Sequence, residues 1–207
     1  MYTKSRAERA VETRQRIIDA AAHLASSSGD EAVRILDVAA AAQVSTGAMY
    51  HHFENREDLM AAVHLERYRG SMPADLAFMD SLVDIAVDAQ ALKAGLLELT
   101  RVVNRPERSV VRRNRAATIG LSLHQPTIAA ALALEQRRTT ETMSAALARA
   151  QARDMIDPSV DTTAAALMFQ AIALGLVLAD VDPEGAPTAD AWEALVGRLL
   201  DAVLRYD

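Results

Sequence analysis

The 207-residue chain contains no cysteine. That removes disulfides and thiolate-bound metals, and a reducing cytoplasm becomes the compatible compartment. Glycine and proline are few, at eight and six, so little interrupts a helical pattern. Aromatic residues make up 4% of the chain; alanine, leucine and valine take their place, without strand-like alternation, which predicts an all-α protein. Behind the polar residues 1–16 there is no apolar stretch of the kind an export signal carries. Long apolar runs are also scarce. The most apolar segment, Ala164 to Ala179, is sixteen residues long, contains Gln170 and lies between Asp161 and Asp180. It falls short of the ~20 residues that span a bilayer, so it reads as a buried or subunit-contact helix, with no membrane partner.

Catalytic patterns are missing too. Adjacent histidines such as His51 and His52 point about 100° apart on a helix, whereas zinc-binding helices place histidines four residues apart. The chain has no HExxH, no glycine-flanked serine elbow and no glycine-rich phosphate loop. His23, His64 and His124 are scattered. No metal, cofactor or catalytic residue is assigned, and the chain is not read as an enzyme.

Positive charge is present but concentrated. The net charge is −6, yet residues 1–16 hold five basic residues (Lys4, Arg6, Arg9, Arg14 and Arg16) against two acidic ones. Arg101 to Arg115 hold six arginines against Glu107. Total charge argues weakly against a nucleic-acid partner; its distribution permits one.

Helical signals recur along the chain. Thr13 to Ser26 places Ile17, Ile18, Ala21, Ala22, Leu24 and Ala25 on one stripe, and Ser26 to Asp30 ends it. A short helix covers about 35–42, a third starts at Ser45, whose hydroxyl suits an N-cap, and Asn55 can cap a fourth running to about Arg69. The stretch Ser71-Met72-Pro73 marks a boundary. Asp88, Pro106, Pro126, Asp161 or Thr162, and Thr188 each suit a helix start beyond it.

Residues 35–53 read as two short helices joined by a tight turn. Val38, Ala39, Ala42, Val44, Met49 and Phe53 fall at apolar contact positions of a helix-turn-helix, which leaves Thr46, Ala48, Tyr50 and His51 facing outward. That face suits a DNA groove: hydroxyls for phosphates, an imidazole for a phosphate or base edge, and methyl groups for thymine. Gly47 removes a side chain where a backbone would approach DNA.

The stretch VSTGAMYHHFENREDL, residues 44–59, preceded by LDVAAAAQ and by RQRIIDAAAHLASSSG, resembles the DNA-binding module of the TetR family of bacterial transcriptional regulators. The likeness covers residues 13–60, with Val-Ser-x-Gly, Tyr-x-His-Phe and Asn-Arg-Glu-Asp-Leu in register. It implies that Ser45, Thr46, Gly47, Ala48, Tyr50, His51 and Arg56 lie at DNA, with Tyr50 and Arg56 on phosphates; Arg34, which departs from the family pattern, could grip a phosphate directly. Met49 and Phe53 would be core, and His52 either core or a DNA contact. Three positions depart from the family pattern. Arg34 replaces a capping threonine, Leu36 a polar residue, and Gln43 the glycine of the turn, where a left-handed backbone costs any other side chain.

The expected organisation is therefore a basic arm over 1–12, read as a flexible tail or as a minor-groove contact through Arg6 and Arg9. A three-helix DNA-binding module follows over 13–58, then a larger helical ligand-binding and dimerisation domain over 59–207, with about nine helices in all. Both C-terminal helices carry more apolar residues than one buried face needs. Leu167, Leu174, Leu178, Trp192, Leu195, Val196, Leu199 and Val203 are accordingly expected at a homodimer interface.

By resemblance, residues 74–153 should enclose a small-molecule pocket. Its candidate lining is Phe78, Met79, Met143, Met168 and Phe169, with Tyr68, Arg101, Arg112, His124 and Gln170 as polar contacts. For each of these the alternative is ordinary core or solvated surface. The function read from the sequence is a ligand-responsive, homodimeric, cytoplasmic repressor of a near-palindromic operator. The alternatives are a ligand-binding or scaffolding protein with lost DNA binding, and a helical enzyme.

Overall fold

A computed structural model describes residues 5–205. Its regular structure is helical, apart from one isolated antiparallel bridge between Ile156 and Leu204. The chain divides into two compact units, Met1–Arg67 and Tyr68–Asp207. The division falls inside the fourth helix, neither at 58/59 nor at Ser71-Met72-Pro73. His64 and Arg67, late in that helix, still bond within the first unit, whereas Tyr68 bonds to Gln136 in the second.

The first unit begins with α1 (Arg6–Ser28). Ser5 and Glu8 cap it reciprocally: Glu8 N–H donates to Ser5 Oγ at 3.1 Å and Ser5 N–H to Glu8 Oε2 at 2.6 Å. Residues 6–12 are therefore helix and not a flexible arm, because this cap starts α1 well before the apolar stripe does. Lys4 lies outside the described residues. Gly29, at φ 86°, ends α1 and turns the chain into a 3-10 turn, Asp30–Ala32. The helices α2 (Ile35–Ala41), α3 (Thr46–His52) and α4 (Arg56–Gly70) follow. Ile17, Val38, Met49, Leu59 and Val63 are fully buried and form the core of this unit.

The turn between α2 and α3 fixes their relative direction. Gln43 sits at φ 56°. Its N–H donates to Ala40 O at 3.1 Å and the Val44 N–H to Ala39 O at 2.9 Å, the paired bonds of a Schellman C-cap. The left-handed residue this motif needs is a glutamine here, at a cost on the order of 1 kcal/mol relative to glycine. At the other end of α2, Arg34 occupies the N-cap position without a capping side-chain bond.

The second unit comprises α5 (Pro73–Ile85), α6 (Ala89–Asn104), a 3-10 turn (Pro106–Arg108), α7 (Ser109–Ser122), α8 (Pro126–Gln151), α9 (Thr162–Gly175), α10 (Val177–Val181) and α11 (Ala189–Asp201). Asp88, Asp161 and Thr188 cap α6, α9 and α11, each accepting the N–H three residues on. Its core includes Met79, Val83, Leu92, Leu96, Leu147, Val196 and Leu200.

Helices α9 and α10 flank the single residue Leu176, so the apolar stretch runs from Thr162 to Val181, twenty residues, longer than the sequence suggested. By length and composition alone it could cross a membrane. Near its end, however, Asp180 carries a buried ion pair to Arg112 within the same unit.

Candidate nucleic-acid interface and internal cavity

Helix α3 is held from one side only. Met49 and Phe53 are buried beneath it, and Ser45 caps its start, Oγ accepting the Ala48 N–H at 3.1 Å. Thr46, Gly47, Tyr50 and His51 are exposed on the opposite side, with Ala48 half-buried beside them; Tyr50 is 57% exposed. A Cβ added at Gly47 would meet nothing closer than Ser45 Oγ at 3.8 Å. Nothing inside the protein therefore requires glycine there. Arg34 and Leu36 are also exposed.

Two expectations need correction. Arg56 is turned inward: its Nε donates to Val33 O at 2.8 Å and its Nη2 to Asp30 O. It therefore spends Nε and one Nη2 donor on carbonyls of the α1–α2 connection, which the helical register of α4 brings within reach, while the side chain stays 31% exposed. His52 is half-buried and not core. Its ring meets His51 edge to face at 5.3 Å. Burial, with His51 and Arg14 adding to it, lowers its pKa below that of an ordinary histidine. Arg14 in turn lies 5.0 Å from the Phe53 ring centroid.

Asp30 collects three side chains of α4. Its carbonyl takes Arg56, Oδ1 accepts from Arg67 Nη1 at 2.9 Å, and Oδ2 lies 3.3 Å from His64 Nε2. Spacings of eight and three residues put Arg56, His64 and Arg67 along one face of the helix. Among the described residues no group of three or more histidines and carboxylates is placed to hold a metal ion.

The second unit holds a partly open cavity of about 520 Å³, a size that suits a small organic molecule. Five predicted residues line it: Tyr68, Met79, Met143, Phe169 and Gln170. Five do not. Phe78 and Met168 are exposed, one position round the helix from Met79 and Phe169, which point in. Arg101 is outside and bound to Glu193 and Glu98. Arg112 is buried with Asp180, Nε to Oδ2 at 2.8 Å, and donates to Val103 O at 2.6 Å. His124 is exposed at the end of α7.

Of the polar lining, the sequence reading found Tyr68 and Gln170 and missed Asp75, Arg115 and Gln136. Tyr68 Oη donates to Gln136 Oε1 at 3.0 Å, and Gln136 Nε2 to Gln170 Oε1 at 2.6 Å. Arg115 donates through Nε to Ser71 Oγ at 3.0 Å and through Nη2 to Ser71 O at 2.6 Å and Asp75 Oδ2 at 3.0 Å. Arg108 holds both oxygens of Asp75. The arginine run thus separates: Arg101, Arg105, Arg108, Arg112 and Arg115 each pair with a carboxylate, Arg113 is exposed, and of the six Arg115 alone lines the cavity. Gln136 gave no sequence signal, being one polar residue on a long amphipathic helix.

Of the residues expected at a subunit interface, Leu167, Leu178, Leu195 and Leu199 are exposed, while Leu174, Trp192 and Val203 are half-buried. Val196, 4% exposed, belongs to the core of its own unit. Leu167, Leu174 and Val196 also border the cavity, because α9 and α11 each have one face towards it.

Residues 17–63 match the model for bacterial regulatory proteins of the tetR family. Over 205 residues the chain is 26% identical to the HTH-type transcriptional regulator UidR of Escherichia coli strain K12, covering 92% of this chain and 94% of that one. It shares its fold with a TetR-family transcriptional regulator from Mesorhizobium loti, at a TM-score of 0.66 and 18% identity over 96% of each chain. A transcriptional regulator from Saccharomonospora viridis, solved in complex with choline, gives a TM-score of 0.65 and 18% identity over 95% of this chain and all of the other.

Proposed function

We propose that this chain, whose residues 17–63 match the model for bacterial regulatory proteins of the tetR family, is a transcriptional regulator that acts as a ligand-released, homodimeric repressor in the cytoplasm. The observation that carries this reading is the outward face of α3. Thr46, Gly47, Tyr50 and His51 have no packing duty there, and Gly47 leaves open space that the fold itself does not use.

In this reading Thr46, Gly47, Ala48 and His51 meet the groove. Tyr50, Ser45 and Arg34 serve the phosphates, and Arg56 supports the module from within. One such module reads few base pairs, so affinity needs two copies on half-sites ~34–36 Å apart. Only 11% of the apolar Thr162–Val181 stretch is buried, and α11 adds the exposed Leu195 and Leu199. A second copy covering both helices accounts for this surface without a membrane. Sedimentation of the wild type as a dimer at micromolar concentration, and of Leu178→Glu/Leu195→Glu as a monomer, is the expected result; a wild-type monomer rejects it.

The effector occupies the internal cavity, and α4 reports it. That helix begins with Arg56, which grips the α1–α2 connection, and ends with Tyr68, which lines the cavity. A coupling of about 1–3 kcal/mol is enough for such a switch. Choline, the ligand of the Saccharomonospora viridis regulator, suits this cavity poorly. Its aromatic lining is Tyr68 and Phe169, and its one carboxylate, Asp75, is already engaged by Arg108 and Arg115. The deciding experiment is a gel shift on DNA flanking the gene, repeated with small-molecule fractions. A specific shift that a ligand reverses supports the reading. Failure to shift any flanking DNA favours a ligand-binding protein that has lost DNA recognition, the alternative to which the uncapped Arg34 and exposed Leu36 point.

A further inference from the structure

The cavity is apolar along most of its wall, with leucine, methionine, valine and isoleucine side chains from α5 to α9. Apart from Thr100 and Ser122, its polar side chains belong to one network, linked through Ser71. The Ser71 hydroxyl donates to Tyr68 O and accepts from Arg115, and Tyr68 reaches Gln136 and, through it, Gln170. A cavity of this kind suits an amphipathic ligand, its tail against the apolar wall and its head among these residues.

The hydrogen-bond inventory of that network decides the head group. Gln136 and Gln170 are consumed by each other, by Tyr68, by Thr140 and by Ala166 O. Arg115 is not consumed. Of its five N–H groups, Nε uses one and Nη2 two, while Nη1 has no hydrogen-bond partner among the described residues. The side chain is 13% exposed, and Nη1 keeps part of that exposure, open to solvent or to a ligand in the cavity. Charge points the same way: one carboxylate, Asp75, stands between Arg108 and Arg115, a local net charge of +1. Two open donors on a cation that lines the cavity suit an anionic acceptor, and a carboxylate matches the guanidinium fork.

We propose that the cavity binds an amphipathic carboxylate, its apolar chain along α5, α6 and α9 and its carboxylate on Arg115 Nη1 beside Tyr68. This rests on the reading of the cavity as the effector site and names the chemistry of the effector. Neutral amphiphiles of the same length fill the cavity but leave one charge unanswered. Quaternary ammonium compounds bring a second positive charge to a positive network.

The test is calorimetric titration of the full-length protein with decanoate, decanamide and decyltrimethylammonium, each kept below its micelle concentration. Decanoate is expected to bind roughly ten- to a hundredfold more tightly than decanamide, the range for a buried charge-assisted pair, and the ammonium compound not at all. In Arg115→Gln that preference disappears while decanamide affinity is retained, which also shows that the cavity has folded. If Arg115→Gln loses decanamide as well, Arg115→Lys carries the test, with a reduced preference expected. Absent decanoate binding, equal binding of acid and amide by the wild type, or an undiminished preference in the variant that retains decanamide binding overturns the proposal. The gel shift is scored separately. An Arg115-dependent carboxylate preference without operator binding removes the repressor reading and leaves this one standing; ligand-free operator binding without the preference does the reverse.

Discussion

Arg56 Nε donates to the carbonyl oxygen of Val33 at 2.8 Å, so the first residue of α4 holds the entry to α2. Its Nη2 holds Asp30 O in the same connection. Arg56→Ala is expected to destabilise the first unit by about 1–3 kcal/mol, because two carbonyls lose a charged donor. Arg56→Lys should recover little, since one ammonium cannot reproduce the fork. Urea denaturation measures the loss. A phosphate contact would instead lower the salt slope of DNA binding by about one and leave stability unchanged.

Gly47 separates stability from recognition. Its side is open inside the protein, so Gly47→Ala should raise helix stability by about 0.5–1 kcal/mol. The same methyl group would stand where the DNA backbone is proposed to approach, and operator affinity should fall. Thermal melting and a binding isotherm on one preparation check both signs; unaltered affinity would remove Gly47 from the interface.

Acid should weaken the first unit before the carboxylates titrate. His64 has its pKa lowered from 6.5, first by burial, with Asp30 raising it and Arg67 lowering it, and His52 is lowered in the same direction. A folded-state pKa below the unfolded one means that the unfolded chain takes up the proton first. Stability is then complete above about pH 6.5 and declines as pH falls below it. Urea midpoints measured from about pH 7.5 down to about 5.5 should fall in the wild type and fall less in His64→Gln.

Removing one partner of the buried Arg112–Asp180 pair is costly. The two side chains are 6% and 8% exposed, and the Arg112 pairing holds the Asp180 carboxyl below its usual range. Asp180→Ala leaves a buried cation and should cost about 3–5 kcal/mol. Arg112→Met/Asp180→Leu should cost much less, because both charges leave together. A double-mutant cycle by chemical denaturation reads the coupling.

Much of the fold was legible because its determinants are local. Ser45, Asp88, Asp161 and Thr188 cap the helices the sequence assigned to them, each through an N–H three residues away. Asn55 Oδ1 likewise accepts the Asp58 N–H at 2.8 Å. The resemblance implied a left-handed turn at Gln43, where the family pattern has glycine, and its φ of 56° agrees. The missed start of α1 was also local: Ser5 and Glu8 form a capping box ahead of the apolar stripe, outside the window in which periodicity was sought.

The sequence by itself determined the helices, their ends and the register of the DNA-binding module, since periodicity and capping act over three or four residues. Tertiary structure alone decided what each polar side chain does. Arg56 reaches Val33 across 23 residues, Arg115 reaches Asp75 across 40, and Arg112 reaches Asp180 across 68. Arginines that look alike along the chain thus become a surface ion pair (Arg101), a buried anchor (Arg112) or the open donor of a cavity (Arg115). The physical reason is that a charge is assigned by the partner and the dielectric around it, and both are supplied by segments distant in sequence.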